Sequence, residues 1–302
     1  MNTKKNTGKS NRTGKPHARQ GDRISSRSRR RSKEAARRRQ KRRLIQGLIL
    51  GFFACILVFS IYQLASIFLT YHSGDKEYED LQQYVLDKPV LPEAVTGGLS
   101  SSEDSEEAAD ASLVPMTRID LASLQEINSE AIGWIEIPDT VISYPMVHTD
   151  DDTYYLTHTF KKESNRVGSI FVEALNHADF SDLHTIIYGH NMKNGSMFAT
   201  LKNYNTKSYW QAHPYIYIDL EDNSHCYQIF SCYQADISDQ CYTIGYEKDV
   251  SAEVYQQFLD HLKNSSLFDT GVEVTAEDKV ITLSTCTNSG RNRFVVHAKK
   301  LY

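Results

Sequence analysis

The chain has 302 residues, with 34 Lys and Arg against 38 Asp and Glu, for a formal net charge of −4. That near-balance conceals two opposite parts: residues 1–43 hold 18 Lys and Arg against Asp22 and Glu34, a net of +16, which leaves −20 for residues 44–302. No single surface serves both, and the length exceeds one compact domain once the front third is set aside.

The basic part closes with RSRRRSKEAARRRQKRR and runs directly into LIQGLILGFFACILVFSIYQLASIFLT, residues 44–70, which carries no charge. At about 1.5 Å rise per residue it exceeds the ~20 residues that cross ~30 Å of hydrocarbon, so a transmembrane helix is expected. The run ends in bulky residues, unlike the small-residue cleavage site of a signal peptide, and reads as an uncleaved anchor. Lys and Arg on its amino side put residues 1–43 in the cytoplasm and everything after about residue 71 outside. The basic tail, expected to be disordered, thus serves as a topology signal that also touches anionic lipid. It interleaves no aromatic residues with its cations, so nucleic acid is not expected as a partner.

Residues 71–116 pass from HSGDKEYEDLQQYVLDKP to TGGLSSSEDSEEAADASLVP, acidic and low in large apolar residues, and read as a short helix followed by a flexible extracellular stalk. Residues 117–302 are enough for one well-buried domain, and the chemistry belongs there. Leu121, Leu124 and Ile127 stand at helical spacing. The chain then turns β-prone at GWIEI and VISYPMV, with further short strands expected at GSIFVEA, HTIIYGH, YIYIDL, CYQIFSCY, CYTIGY, KVITLSTC and RFVVHAKKL. A second helix is expected over residues 251–265, with Ser251 as its N-cap and Val254, Phe258 and Leu262 stepping by four. Many short strands with few helices predict a mainly β fold, a closed or nearly closed barrel decorated by helices.

Cys55 lies in the apolar run, leaving Cys226, Cys232, Cys241 and Cys286 outside. Cys226 and Cys232 share one predicted strand about 20 Å apart, beyond disulfide reach, so only Cys241 is available to pair with one of them, for instance Cys232 across QADISDQ. Cys286 is left over, and a leftover exported cysteine suggests a reactive thiol. Strand parity sends Ile281 and Leu283 to one face and Thr282, Ser284 and Cys286 to the other. Along the last strand Phe294, Val296 and Ala298 take the core face, so Arg293 points outward with Val295 and His297. Paired through TNSGRN, the two strands would bring Cys286 and Arg293 to one groove, where a guanidinium can stabilise charge on a carbonyl attacked by a thiolate. The thiol needs a base. His190, ending TIIYGH and opening the loop NMKNGSMF, is the better placed of the histidines; His297, expected at the surface, is the alternative.

Taken together, YGHNMKNGSMF, TLSTC near the carboxy terminus and an arginine opening the last strand resemble the sortase family, specifically its class B. The likeness runs from about residue 119 to 302 and includes INSEAIGWIEIPDTVISYPMVHTDDDTYYLTHTF and the long helix before the cysteine strand. It implies a membrane-tethered transpeptidase on the outer face of a Gram-positive cell. Such enzymes cut a sorting signal after its threonine, hold the new end as a thioester, and release it to an amine of a peptidoglycan precursor or a pilin. Transferred onto this sequence, Cys286 becomes the nucleophile, His190 the general acid/base and Arg293 the oxyanion and substrate ligand. The backbone N–H of Thr287 is offered to the oxyanion hole, and Ser284 and Thr285 to the substrate groove. Two departures stand out: the turn between cysteine and arginine is short, and the place two after the cysteine, acidic in some class B members, is Asn288. Arg291 competes with Arg293, though parity and the following FVV favour Arg293.

No cofactor is implied, and no H-x-x-x-H or clustered Cys/His spacing of the zinc type occurs. The run HTDDDTYY, the one dense acidic stretch of the folded part, reads as a solvated loop rather than a calcium site. A wall hydrolase of the papain type would place its cysteine before its histidine, opposite to the order here. A non-enzymatic anchored binding domain would need no outward cysteine.

Overall fold

A computed structural model describes residues 21–86, 118–221, 223–246, 250–286 and 291–302. Two compact units divide at Ser66/Ile67. The first consists of helix α1 (Gly21–Leu81) up to Ser66. Residues 21–43 of the basic tail, expected to be disordered, are instead helical, as their Arg, Lys and Ala permit. The apolar run makes α1 long enough and apolar enough to cross a membrane, and none of that stretch is buried in protein.

From Ile67 onward the chain forms a closed eight-stranded barrel, matching the alternation seen in the sequence. Its strands are β1 (Ala131–Glu136), β2 (Ser143–Val147), β3 (Ile170–Val172), β4 (His184–Gly189), β5 (Tyr215–Asp219), β6 (Ser224–Asp236), β7 (Val280–Cys286) and β8 (Asn292–Lys300). The order around the barrel is β1-β2-β3-β4-β7-β8-β6-β5. β2/β3 and β4/β7 are parallel and the remaining pairs antiparallel. Ile135, Ile218, Ile229, Leu283 and Val296 fill the barrel at no more than 1% exposure. Burying such side chains, at about 1.5–3 kcal/mol each, drives closure.

Helix α2 (Leu121–Ile127) buries Leu121 and Leu124, with the Asp120 carboxylate accepting from Ser123 N as the cap. A short helix α3 (Lys207–Ala212) follows a 3-10 stretch at Ala199–Asn205; neither was evident in the sequence. Helix α4 (Ala252–Asn264) starts where predicted, with the Ser251 side chain accepting from Val254 N. It lays Tyr255, Phe258, Leu259 and Leu262 on the outer face of the sheet against Phe230, Val280 and Val295. Val254 is exposed instead, because Tyr255 and Leu259 set the buried stripe.

That second layer corrects two expectations. The outer face of β7 and β8 is covered: Thr282 and His297 are both at 0% exposure, so His297 is a core residue. CYTIGY forms a 3-10 turn at Gln240–Tyr242 and a loop, since Cys241 packs into the second layer and its segment pairs with no strand. Cys226, Cys232 and Cys241 are buried free thiols, so Cys241 makes no disulfide; Cys232 Sγ lies 3.2 Å from the Tyr204 carbonyl oxygen.

The segment expected to be a stalk begins as packed structure. Tyr78 and Leu81, on the last turns of α1, join the main core, and Val85 pairs with Ile119. Residues 87–117, where the flexible stretch was expected, lie outside the described residues, as do Thr287 and Asn288.

Candidate active site

β4 and β7 pair in parallel from His184↔Val280 to Gly189↔Thr285. One residue beyond Gly189, the chain leaving β4 carries His190 to the edge where β7 ends at Cys286. β8 returns antiparallel with Arg293 opposite Cys286. Neighbouring strands run about 5 Å apart, so the barrel brings Cys286 between His190 and Arg293 at one edge although the three are scattered in sequence.

A cavity of about 210 Å³ opens at this edge, lined by Asp152, Leu156, Phe171, Tyr188, Gly189, His190, Ser284 and Arg293. Larger cavities, of about 590 and 510 Å³, are lined by neither His190 nor Arg293. Arg293 is half-buried, with Nη1 donating to the Asn292 carbonyl at 3.2 Å. Arg291 is largely exposed, its Nε 3.9 Å from Asp236 Oδ2, and does not line the cavity.

The His190 imidazole has Nε2 2.7 Å from the Leu156 carbonyl oxygen. A carbonyl only accepts, so this contact keeps the hydrogen on Nε2 and leaves Nδ1 as the nitrogen that exchanges protons. Behind the ring lies Gly168 at φ +61°, where an added Cβ would come within 2.9 Å of His190 Cδ2 and 2.6 Å of the Tyr155 carbonyl oxygen. Only glycine accommodates both the left-handed backbone and that close approach.

Ser284 is 2% exposed and its Oγ lies 2.9 Å from the Tyr242 hydroxyl. Burial pushes the Tyr242 hydroxyl up, with the Arg293 charge opposing in part. Thr285 has the opposite parity to Ser284, is buried with no hydrogen-bond partner at Oγ1 among the described residues, and does not line the cavity. At the far wall the Tyr188 hydroxyl donates to Glu173 Oε2 at 2.7 Å. Burial first, and the neighbouring Asp152 carboxylate second, raise the Glu173 carboxyl above its usual range. Asp152 also accepts from Ala174 N at 2.8 Å. Of the acidic run, then, Asp152 turns into the cavity wall while Asp151 caps a local turn at Thr153 N.

Tyr188, Tyr242 and Asp152 escaped the sequence reading. Tyr188 alone carried a signal, as the residue preceding GH on a strand of the right parity; the other two arrive on loops. His297, the alternative base, bonds Thr282 through Nδ1 at 2.8 Å in the second layer. Among the described residues no group of three or more His, Cys, Asp or Glu is disposed to hold a metal ion.

His190 and Arg293 line one cavity at the edge where the strand carrying Cys286 ends, and these are residue types that acyl transfer through sulfur uses. Comparison with known proteins points the same way. Residues 135–301 match the Sortase domain family. Sortase B of Listeria monocytogenes is 36% identical over 198 residues, covering 65% of this chain and 79% of its own. Sortase B of Staphylococcus aureus is 34% identical over 180 residues, 59% of this chain and 72% of its own. The crystal structure of sortase B from Bacillus anthracis in complex with AAEK1 superposes with TM-score 0.62 at 33% identity, over 78% of this chain and 99% of that one. The Staphylococcus aureus sortase B–substrate complex gives TM-score 0.56 at 33% identity, over 60% of this chain and 84% of that one. With the barrel, the cysteine-strand edge and these relatives in agreement, the chain belongs to the sortase family, as a class B sortase.

Proposed function

We propose that this sortase cuts a sorting signal near the carboxy terminus of an exported protein after its threonine and joins the new end to an amine of a peptidoglycan precursor or a pilin. His190 Nδ1 takes the Cys286 thiol proton as sulfur attacks the threonine carbonyl carbon. Arg293 and the backbone N–H of Thr287 stabilise the oxyanion. The peptide C–N bond then breaks, and His190 returns the proton to the leaving amine. The resulting thioester is attacked by the acceptor amine, which loses a proton to His190; the C–S bond breaks, an amide forms and the thiol is restored. Ser284 lines the peptide groove. The charge-free run of α1 anchors the enzyme, with residues 1–43 cytoplasmic and the barrel outside by the positive-inside rule.

The observation that supports this reading is the register of β4, β7 and β8, which converges His190, Cys286 and Arg293 on one edge. The test is intact-mass spectrometry of the full chain in detergent, mixed with a pool of candidate sorting peptides and no added amine. A thioester-sized adduct on the wild type and none on Cys286→Ala or His190→Ala is expected. Adduct formation by Cys286→Ala at the wild-type rate would overturn the mechanism.

A further inference from the structure

The two loops that bracket His190 are both fastened to the same short stretch of helix, the last turns of α1. The first loop, residues 154–169, carries the Leu156 carbonyl that holds Nε2 and the Gly168 backbone that supports the ring. Tyr78, 4% exposed, donates its hydroxyl hydrogen to the Gly168 carbonyl at 2.6 Å and accepts from Phe160 N at 3.3 Å. Glu77 Oε1 accepts from Lys161 N at 2.8 Å, and Asn165 Nδ2 donates to the Thr70 carbonyl at 3.0 Å. Helix and loop approach so closely at Gly74 that a Cβ there would lie 2.7 Å from Val167 Cγ1, one residue before Gly168.

The second loop leaves His190 and returns at Phe198, whose N–H donates to the His190 carbonyl at 2.9 Å. Asn194 at its tip donates Nδ2 to both carboxylate oxygens of Asp75, at 2.8 and 3.1 Å. Near its base Met197 N donates to the Tyr144 hydroxyl, and the Tyr144 ring stands edge-on to Tyr78 at 5.4 Å between centroids. Tyr78 therefore touches one loop directly and the other through Tyr144.

We infer that the last turns of α1 are a brace for the His190 imidazole, with Tyr78 the positioning residue acting through Gly168 and Asp75 a second fastening acting through Asn194. None of these side chains reaches the reacting atoms. Their effect is to keep the Leu156 carbonyl on Nε2 and so aim Nδ1 at the edge where Cys286 stands. The inference rests on His190 being the proton-exchanging partner of Cys286.

The test measures the pH–rate profile for alkylation of Cys286 by iodoacetamide in the full chain in detergent, read by the mass of the Cys286 peptide, with thermal unfolding followed in parallel. Tyr78→Phe removes one hydroxyl and keeps the ring against Tyr144. It is expected to shift the profile toward that of His190→Ala and to slow alkylation near neutral pH about tenfold, the change one unit of thiol pKa gives. Asn194→Ala, at the surface and no threat to folding, shifts it less in the same direction. Lys76→Ala, on the exposed side of the helix, leaves it in place. His190→Ala combined with Tyr78→Phe gives the profile of His190→Ala alone, because the two act through one group. If Tyr78→Phe and Asn194→Ala lower only the unfolding temperature, or if Tyr78→Phe shifts the profile equally without His190, the brace is refuted. If His190→Ala itself leaves the wild-type profile unchanged, the catalytic assignment fails and the brace fails with it.

Discussion

Acid reaches this fold through three buried side chains on adjacent strands, His184, Thr282 and His297. The Thr243 carbonyl only accepts, so His184 Nδ1 donates to it at 2.9 Å and Nε2 must accept from Thr282 Oγ1 at 2.7 Å. Thr282 Oγ1 then accepts from His297 Nδ1 at 2.8 Å, and His297 Nε2 is left as an acceptor without a hydrogen-bond partner among the described residues. Each histidine is held neutral by this one-way chain: a second proton on His184 would face the hydroxyl hydrogen that Thr282 already donates to it, and one on His297 would enter an interior with no acceptor among the described residues. Burial accordingly pushes His184 from 6.5 down to about 4 and His297 well below its ordinary value. The folded values are depressed, so between these limits the unfolded chain binds more protons, and stability falls as pH falls from about 6.5 to about 4. At about 1.4 kcal/mol per unit, His184 alone accounts for about 3 kcal/mol over that window. His184→Gln removes the titrating group. Urea unfolding of the protein in detergent, followed by the fluorescence of buried Trp134, should show the wild type losing about 3 kcal/mol more than the variant across the window. Equal pH dependence in the two proteins would refute the account.

Two further predictions come from charged groups. Arg118 donates Nη2 to Asp219 Oδ2 at 2.5 Å and Nη1 to Glu136 Oε2 at 3.0 Å, tying the segment before α2 to the ends of β5 and β1. Asp219 is 1% exposed, so Arg118→Ala strands a buried carboxylate and should cost about 3–5 kcal/mol in denaturant unfolding, against little change for an exposed arginine such as Arg291→Ala. Arg293→Ala should lower kcat on the order of 10²-fold in a sorting-peptide assay, as the loss of an oxyanion donor does. A drop in affinity with kcat intact would instead make Arg293 a peptide ligand only.

Much of the barrel was legible because alternation is a local property. Ile281 and Leu283 against Thr282 and Ser284, or Phe294 and Val296 against Val295 and His297, report which way each side chain points. They do not report what waits on the other side, and parity alone turned Thr282 and His297 toward water. Cover by α4 depends on contacts between segments distant in sequence, and it makes the outer face of β7 and β8 a second core. CYTIGY failed as a strand for the same reason, since its apolar residues serve that second layer without a pairing partner.

The active-site edge divides in the same way. Sequence by itself determined the charge-free apolar run, the strand endings at GH and TC, and the spacing that puts Cys286 and Arg293 across one hairpin, because each depends on neighbours within a few residues. Only the tertiary structure decided that β4 lies parallel beside β7, bringing His190 to the cysteine edge. It alone showed that Leu156 and Gly168 hold the imidazole, and that residues expected to be stalk pack against the loops that carry them. Those pairings join segments separated by long loops, and their energy comes from surfaces that exist only once the barrel has closed.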